Sequence, residues 1–147
     1  MLLNSHNKNL SMQRSKIQRY LLLSIIILFL GCKNERSPVP RGINPITINL
    51  TLPSFNSFIV NSSVLITGGA SGLGIVVYRY SQNEFRAYDR MCPSTTHQDW
   101  IKLLKSENST ILMECPECGS RFSLLDGSVI QGPSLFYMSE YSTYYNQ

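Results

Sequence analysis

The chain has 147 residues, with 13 Lys and Arg against nine Asp and Glu and a formal net charge of +4. That length bounds it to one domain. Four of the basic residues and none of the acidic ones lie before residue 32. The region from Lys33 onward is therefore formally neutral and lacks the basic surface that nucleic-acid binding needs.

Lys8, Arg14, Lys16 and Arg19 precede the ten-residue run Leu21–Leu30, LLLSIIILFL, interrupted only by Ser24. The run is short for a bilayer span and suits the apolar segment of a secretory signal. It ends at Gly31-Cys32, which resembles the lipobox of bacterial lipoproteins, with Phe29 where that pattern prefers Leu. The resemblance implies a signal peptide over residues 1–32 and a lipidated Cys32 that becomes the mature N-terminus, held on a bacterial membrane of the cell envelope. A short signal anchor, or a buried helix with an incidental cysteine, is the alternative. Met12 offers a second start, because MQRSKIQRY alone makes a normal basic region. Residues 33–45, KNERSPVPRGINP, hold three prolines and read as a tether.

Ile46 to Leu52 alternates apolar and polar residues with period two, which predicts a half-buried strand. Val64-Leu65-Ile66, Gly74 to Tyr80, Glu84 to Tyr88 and Thr110 to Met113 read as further short strands. Arg121–Leu125 and Ser128–Ile130 flank Asp126-Gly127, a strong hairpin signal. The C-terminal LFYMSEYSTYYNQ is again strand-like, and its tyrosines are expected to pack or cap strand edges. Only Gln98 to Glu107 carries a helical pattern, and a weak one. The elements predict an all-β domain over residues 46–147.

Thr67 to Gly74, TGGASGLG, has the T-G-x-x-x-G-x-G spacing of dinucleotide-binding dehydrogenases. A phosphate-binding turn must open a helix whose N-terminus meets the pyrophosphate. Here Gly74 leads into Ile75-Val76-Val77-Tyr78, a strand pattern, and no Lys follows Lys105. The cluster is expected to connect two strands, and no nucleotide partner is expected.

Apart from Cys32, the cysteines are Cys92, Cys115 and Cys118. An odd number in an exported chain points to a free thiol or a metal site. Cys115-Pro116-Glu117-Cys118-Gly119 places two sulfurs where a tight turn can converge them on one ion. Upstream, YDRMCPSTTH supplies Cys92 and His97. Two loops that each bring thiolate or imidazole would close a four-ligand site. Ser94, Thr95 and Ser120 lie on those loops and are candidates to hydrogen-bond the ligands. Trp100 is expected to be a core or loop anchor.

The pattern C-P-E-C-G-S-R-F over Cys115–Phe122, then Asp126-Gly127 and Gly132-Pro133, resembles the second cluster-binding loop of Rieske [2Fe-2S] domains. The preceding GGASGLGIVVYRY and FRAYDRMCP resemble the first half of the same domain, most closely in the Rieske-like lipoproteins of Bacteroidetes. The resemblance covers roughly residues 46 to 147. It implies a small antiparallel β-sandwich with a two-loop metal-site subdomain, a [2Fe-2S] cluster and one-electron exchange with a redox protein partner. A catalyst acting on its own substrate is not implied. Two departures stand out. Cys118 occupies the second histidine position, and the first loop has no C-x-H. Either Cys92 and His97 both reach the site through a reshaped loop, or Thr95-Thr96-His97 aligns with C-x-H and Thr95 replaces the cysteine. Three thiolates and an imidazole also suit structural zinc. The remaining alternative is a Rieske-like fold without its cluster, its cysteines oxidised, in a non-redox structural or interaction lipoprotein.

Overall fold

The structure, a computed structural model, describes residues 37–42 and 45–146. The expected signal peptide, Cys32 and residues 33–36 and 43–44 of the tether lie outside the described residues. Eight short strands form two four-stranded antiparallel sheets. The first has the order β1-β2-β3-β8, built from β1 (Ser63–Ile66), β2 (Ile75–Arg79), β3 (Phe85–Asp89) and β8 (Glu140–Tyr141). The second has the order β4-β5-β6-β7, built from β4 (Leu104–Lys105), β5 (Leu112–Glu114), β6 (Arg121–Ser123) and β7 (Val129–Gln131).

The main core lies where side chains of the two sheets meet. Val76, Tyr78 and Tyr88 come from the first sheet, and Met113 and Phe122 from the second. Leu103, Leu124, Met138, Cys92 and Cys115 join the same cluster. Successive residues of a strand point to opposite faces, so Ile75, Val77 and Ala87 look the other way. They pack with Phe58 and the half-buried Ile48, Leu50 and Phe55. Strand β2 is thus buried on both faces, which explains why it reads as an unbroken apolar run.

That second cluster also explains where the chain departs from expectation. Residues 46–52 are not a strand. Ile48 and Leu50 lie on the face of β2 and β3 without joining the ladder, and a 3-10 turn, Pro53–Phe55, follows. Period two serves a segment that is apolar on one side whether or not its backbone pairs. The Gln98–Glu107 segment is not helical either. Met91 bridges to Lys102, and Leu104–Lys105 pairs antiparallel with β5. The C-terminal segment contributes a strand of only two residues, Glu140–Tyr141. The Asp126-Gly127 hairpin forms as read. Phe122 pairs with Val129, and Gly127 donates to the Ser123 carbonyl at 2.9 Å with φ +73°.

The glycine cluster joins β1 to β2, and Asp89 holds it. Asp89 is fully buried. Its carboxylate accepts from Ser71 N (3.1 Å), Ser71 Oγ (2.5 Å), Met91 N (2.8 Å) and Tyr141 Oη (2.5 Å). Tyr141 Oη in turn accepts from Ala70 N at 2.8 Å. Gly74 closes the loop with φ +102°, and a Cβ there would lie 2.9 Å from the Ile66 carbonyl oxygen. Glycine is needed at that position for both its backbone conformation and its size.

Candidate metal centre

The first loop is drawn closed at its neck. Leu103 N donates to the Arg90 carbonyl at 2.7 Å, and Cys92 N donates to the Ile101 carbonyl at 2.8 Å. The Met91–Lys102 bridge lies between them. Residues 93–100 therefore leave and return at one point, beneath which the buried Cys92 is fixed.

The second loop caps the β5–β6 hairpin just beyond the Glu114–Arg121 pair. Cys115 N donates to the Ser120 carbonyl (2.9 Å) and Gly119 N to the Cys115 carbonyl (3.0 Å). Gly119 adopts φ +70°, a left-handed turn residue that returns the chain to β6. The turn puts Cys115 and Cys118 on the same side.

The two loops meet. One donor atom from each of Cys92, His97, Cys115 and Cys118 lies within 4.8 Å of all the others. Cys92 Sγ is 3.9 Å from Cys118 Sγ, and His97 Nε2 is 3.8 Å from Cys115 Sγ. All three cysteines are free thiols. His97 Nδ1 sits 3.0 Å from the Asp99 carbonyl oxygen. A carbonyl can only accept, so the proton belongs on Nδ1. The Nε2 lone pair is left facing the sulfurs, the orientation a metal-binding imidazole needs.

Backbone N–H groups surround the sulfurs. Ser94 N–H faces Cys92, those of Glu117 and Cys118 face Cys115, and that of Ser120 faces Cys118. Burial nonetheless pushes the Cys92 and Cys115 thiols up. At Cys118 burial acts the same way but loses to the Ser120 hydroxyl, the Ser120 N–H and the neighbouring Cys115 and Cys92, so its pKa falls to about 6. Cys118 is thus the most readily deprotonated of the three thiols. Positive charge from a metal would deprotonate the other two.

Ser120, singled out from the sequence, is a hub of the site. It is fully buried. Its Oγ lies 3.1 Å from Cys118 Sγ and accepts from Ser134 N at 2.9 Å. It thereby ties the Gly132-Pro133-Ser134 segment to the ligand loop. Ser94 is also buried, with its hydroxyl 2.9 Å from that of Thr96. Thr95 is exposed and is not among the four converging residues. The reshaped first loop, with four residues between Cys92 and His97, is the arrangement present. Trp100 is 56 % exposed and anchors no core. Sequence reasoning misses Asp89, which with Tyr141 holds the glycine connection beside the first loop; for Tyr141 it gives only a strand-edge packing role. An Asp at the end of a strand carries no local signal that a loop 18 residues earlier will fold onto it.

The donor set suits an iron–sulfur group. Cysteine thiolates hold such clusters and imidazole replaces some of them in Rieske centres, while N–H groups directed at the sulfurs tune them. Comparison with protein families agrees. The model of the Rieske [2Fe-2S] domain matches residues 60–142, more than half of the chain and all of both loops. No curated protein and no solved structure matches the chain.

Proposed function

This chain belongs to the Rieske [2Fe-2S] domain family, and on that premise we propose that it is a membrane-tethered electron carrier whose ligands are Cys92, His97, Cys115 and Cys118. The match of residues 60–142 to the Rieske [2Fe-2S] family, with these four donors converging from its two loops, supports the assignment most directly. A bound [2Fe-2S] cluster supplies a one-electron couple. The chain's own residues decide how that couple is set. Three thiolates place more negative charge at the site than the two of a His2Cys2 centre, which favours the oxidised state. Ser120 and the inward-facing N–H groups act in the opposite direction, because hydrogen bonds to sulfur withdraw charge. The thiolate count dominates, since a full charge outweighs a dipole at similar range.

The midpoint potential is therefore expected below the Rieske range of about −150 to +300 mV. It should vary less with pH than in a two-histidine centre, because at most one ligating imidazole can lose a proton. Potentiometry on the purified protein between pH 6 and 9 reads both. A potential inside that range with steep pH dependence would exclude the three-thiolate ligand set.

The tether rests on the basic segment, the Leu21–Leu30 run and Gly31-Cys32. In this reading Cys32 carries lipid, as in the Bacteroidetes lipoproteins the sequence resembles, and the domain works at the surface of an envelope membrane beside a redox protein partner. Among the described residues no helix is long and apolar enough to cross a membrane. Cys32→Ser should remove metabolic labelling by fatty acid and release the protein from the membrane fraction. Retained lipid on the serine variant would sink the anchor.

A second reading has one observation in its favour. Sulfur and nitrogen separations of 3.9 and 3.8 Å match the roughly 3.8 Å edge of a tetrahedron with 2.3 Å bonds. The same four donors would then clip a zinc ion and carry no electron.

A further inference from the structure

A cavity of about 200 Å³ lies between the glycine-rich connection and the strand end that leads to Cys92, and the metal centre makes no use of it. Leu65 and Leu73 give it aliphatic walls, with Thr67 and Gly74 beside them. Arg90 and Lys102 supply its charge, and no acidic side chain lines it.

Arg90 is the unusual member. It is only 8 % exposed. Its Nε and Nη2 both donate to the single carbonyl of Leu103, at 3.1 and 2.8 Å. Its Nη1 donates to no group among the described residues and sits against Gly74, 3.6 Å from where a Cβ there would be. The adjacent carboxylate of Asp89 is occupied by Ser71, Met91 and Tyr141. The guanidinium is thus largely enclosed without an acidic partner lining the cavity, with Nη1 left open to the cavity to meet an anion. Lys105, whose ammonium donates to the Ser63 carbonyl, lies close enough to feel the Arg90 charge. Burial, and then the Arg90 charge, make its ammonium easier to deprotonate.

We propose that this cavity is a binding site for a small oxyanion, a carboxylate or a phosphate, held between Arg90 Nη1 and Lys102. Its volume is below the roughly 300–1,000 Å³ of pockets for drug-sized ligands, which restricts the occupant to an ion or a short-chain acid. The aliphatic walls suit the hydrocarbon end of such an acid. The two sources of the oxyanion are separable by experiment.

The purified full chain is titrated calorimetrically with inorganic phosphate and, separately, with butyrate, at constant chloride. Saturable one-to-one binding is expected for at least one of them. Phosphate alone identifies a phosphate site, and butyrate, with or without phosphate, a carboxylate site. Lys102 is exposed, so Lys102→Glu should fold normally and weaken binding by at least about tenfold through loss of a charge-assisted contact. Arg86→Gln, at an exposed ion pair with Glu140 elsewhere on the first sheet, should leave it unchanged. Absence of saturable heat with both anions overturns the proposal, as does a Lys102→Glu variant that binds as tightly as the parent.

Discussion

Replacing Cys115 by serine is expected to reduce bound iron to less than about a tenth of the parent value, while the β-sandwich persists. The tenfold figure is a lower bound, since disturbing only the groups that orient metal ligands already costs about 10–100-fold in affinity. Cys115 is buried at the end of β5, within the ring of four donors. A serine hydroxyl is a poor ligand for a soft iron–sulfur centre. The same loss is expected for Cys92→Ser and Cys118→Ser. Thr95→Ala is expected to retain full iron, because Thr95 is exposed and outside the converging group. Iron content and circular dichroism of the four variants, prepared in parallel, read the outcome. Full iron in Cys92→Ser together with loss in Thr95→Ala would reverse the assignment of the first loop.

Asp89→Ala is expected to destabilise the domain by about 3–4 kcal/mol, a large part of a typical total of roughly 5–15 kcal/mol. The cost comes from the partners left behind. The N–H groups of Ser71 and Met91 and the hydroxyls of Ser71 and Tyr141 all point at a carboxylate that is fully buried. Stranded donors are more costly than the net worth of the bonds they made. Tyr141→Phe removes one contact to Asp89 and one to Ala70 N and should cost about 1–2 kcal/mol. Urea unfolding midpoints of the two variants measure both. A change below about 1 kcal/mol for Asp89→Ala would show that the glycine connection holds itself.

Much of the metal site was legible because its chemistry is local. Cys-Pro-Glu-Cys-Gly contains two of the four ligands, their spacing and the glycine that turns them together, and Asp126-Gly127 marks the hairpin behind it. The first loop was legible only as two options. Whether Cys92 and His97 both reach the centre depends on the pairing of Cys92 with Ile101 and of Met91 with Lys102 at the loop's neck, and no spacing rule reports those long-range bonds. The glycine cluster shows the complementary case. The strand pattern after Gly74 was enough to set aside a Rossmann turn, yet its anchoring on Asp89 and Tyr141 joins segments 18 and 71 residues apart. The residues 46–52 misled for a physical reason. Ile48 and Leu50 satisfy a one-sided apolar contact, and a packed extended segment has the same side-chain period as a paired strand.

The central claim is that three cysteines and one histidine hold a [2Fe-2S] cluster. Its most direct test is the iron, acid-labile sulfide and zinc content of anaerobically purified full-length protein, taken with its visible spectrum. The account predicts two iron and two sulfide per chain, negligible zinc, and visible absorption that bleaches on reduction. One zinc per chain in a colourless protein, with neither iron nor sulfide, would contradict it.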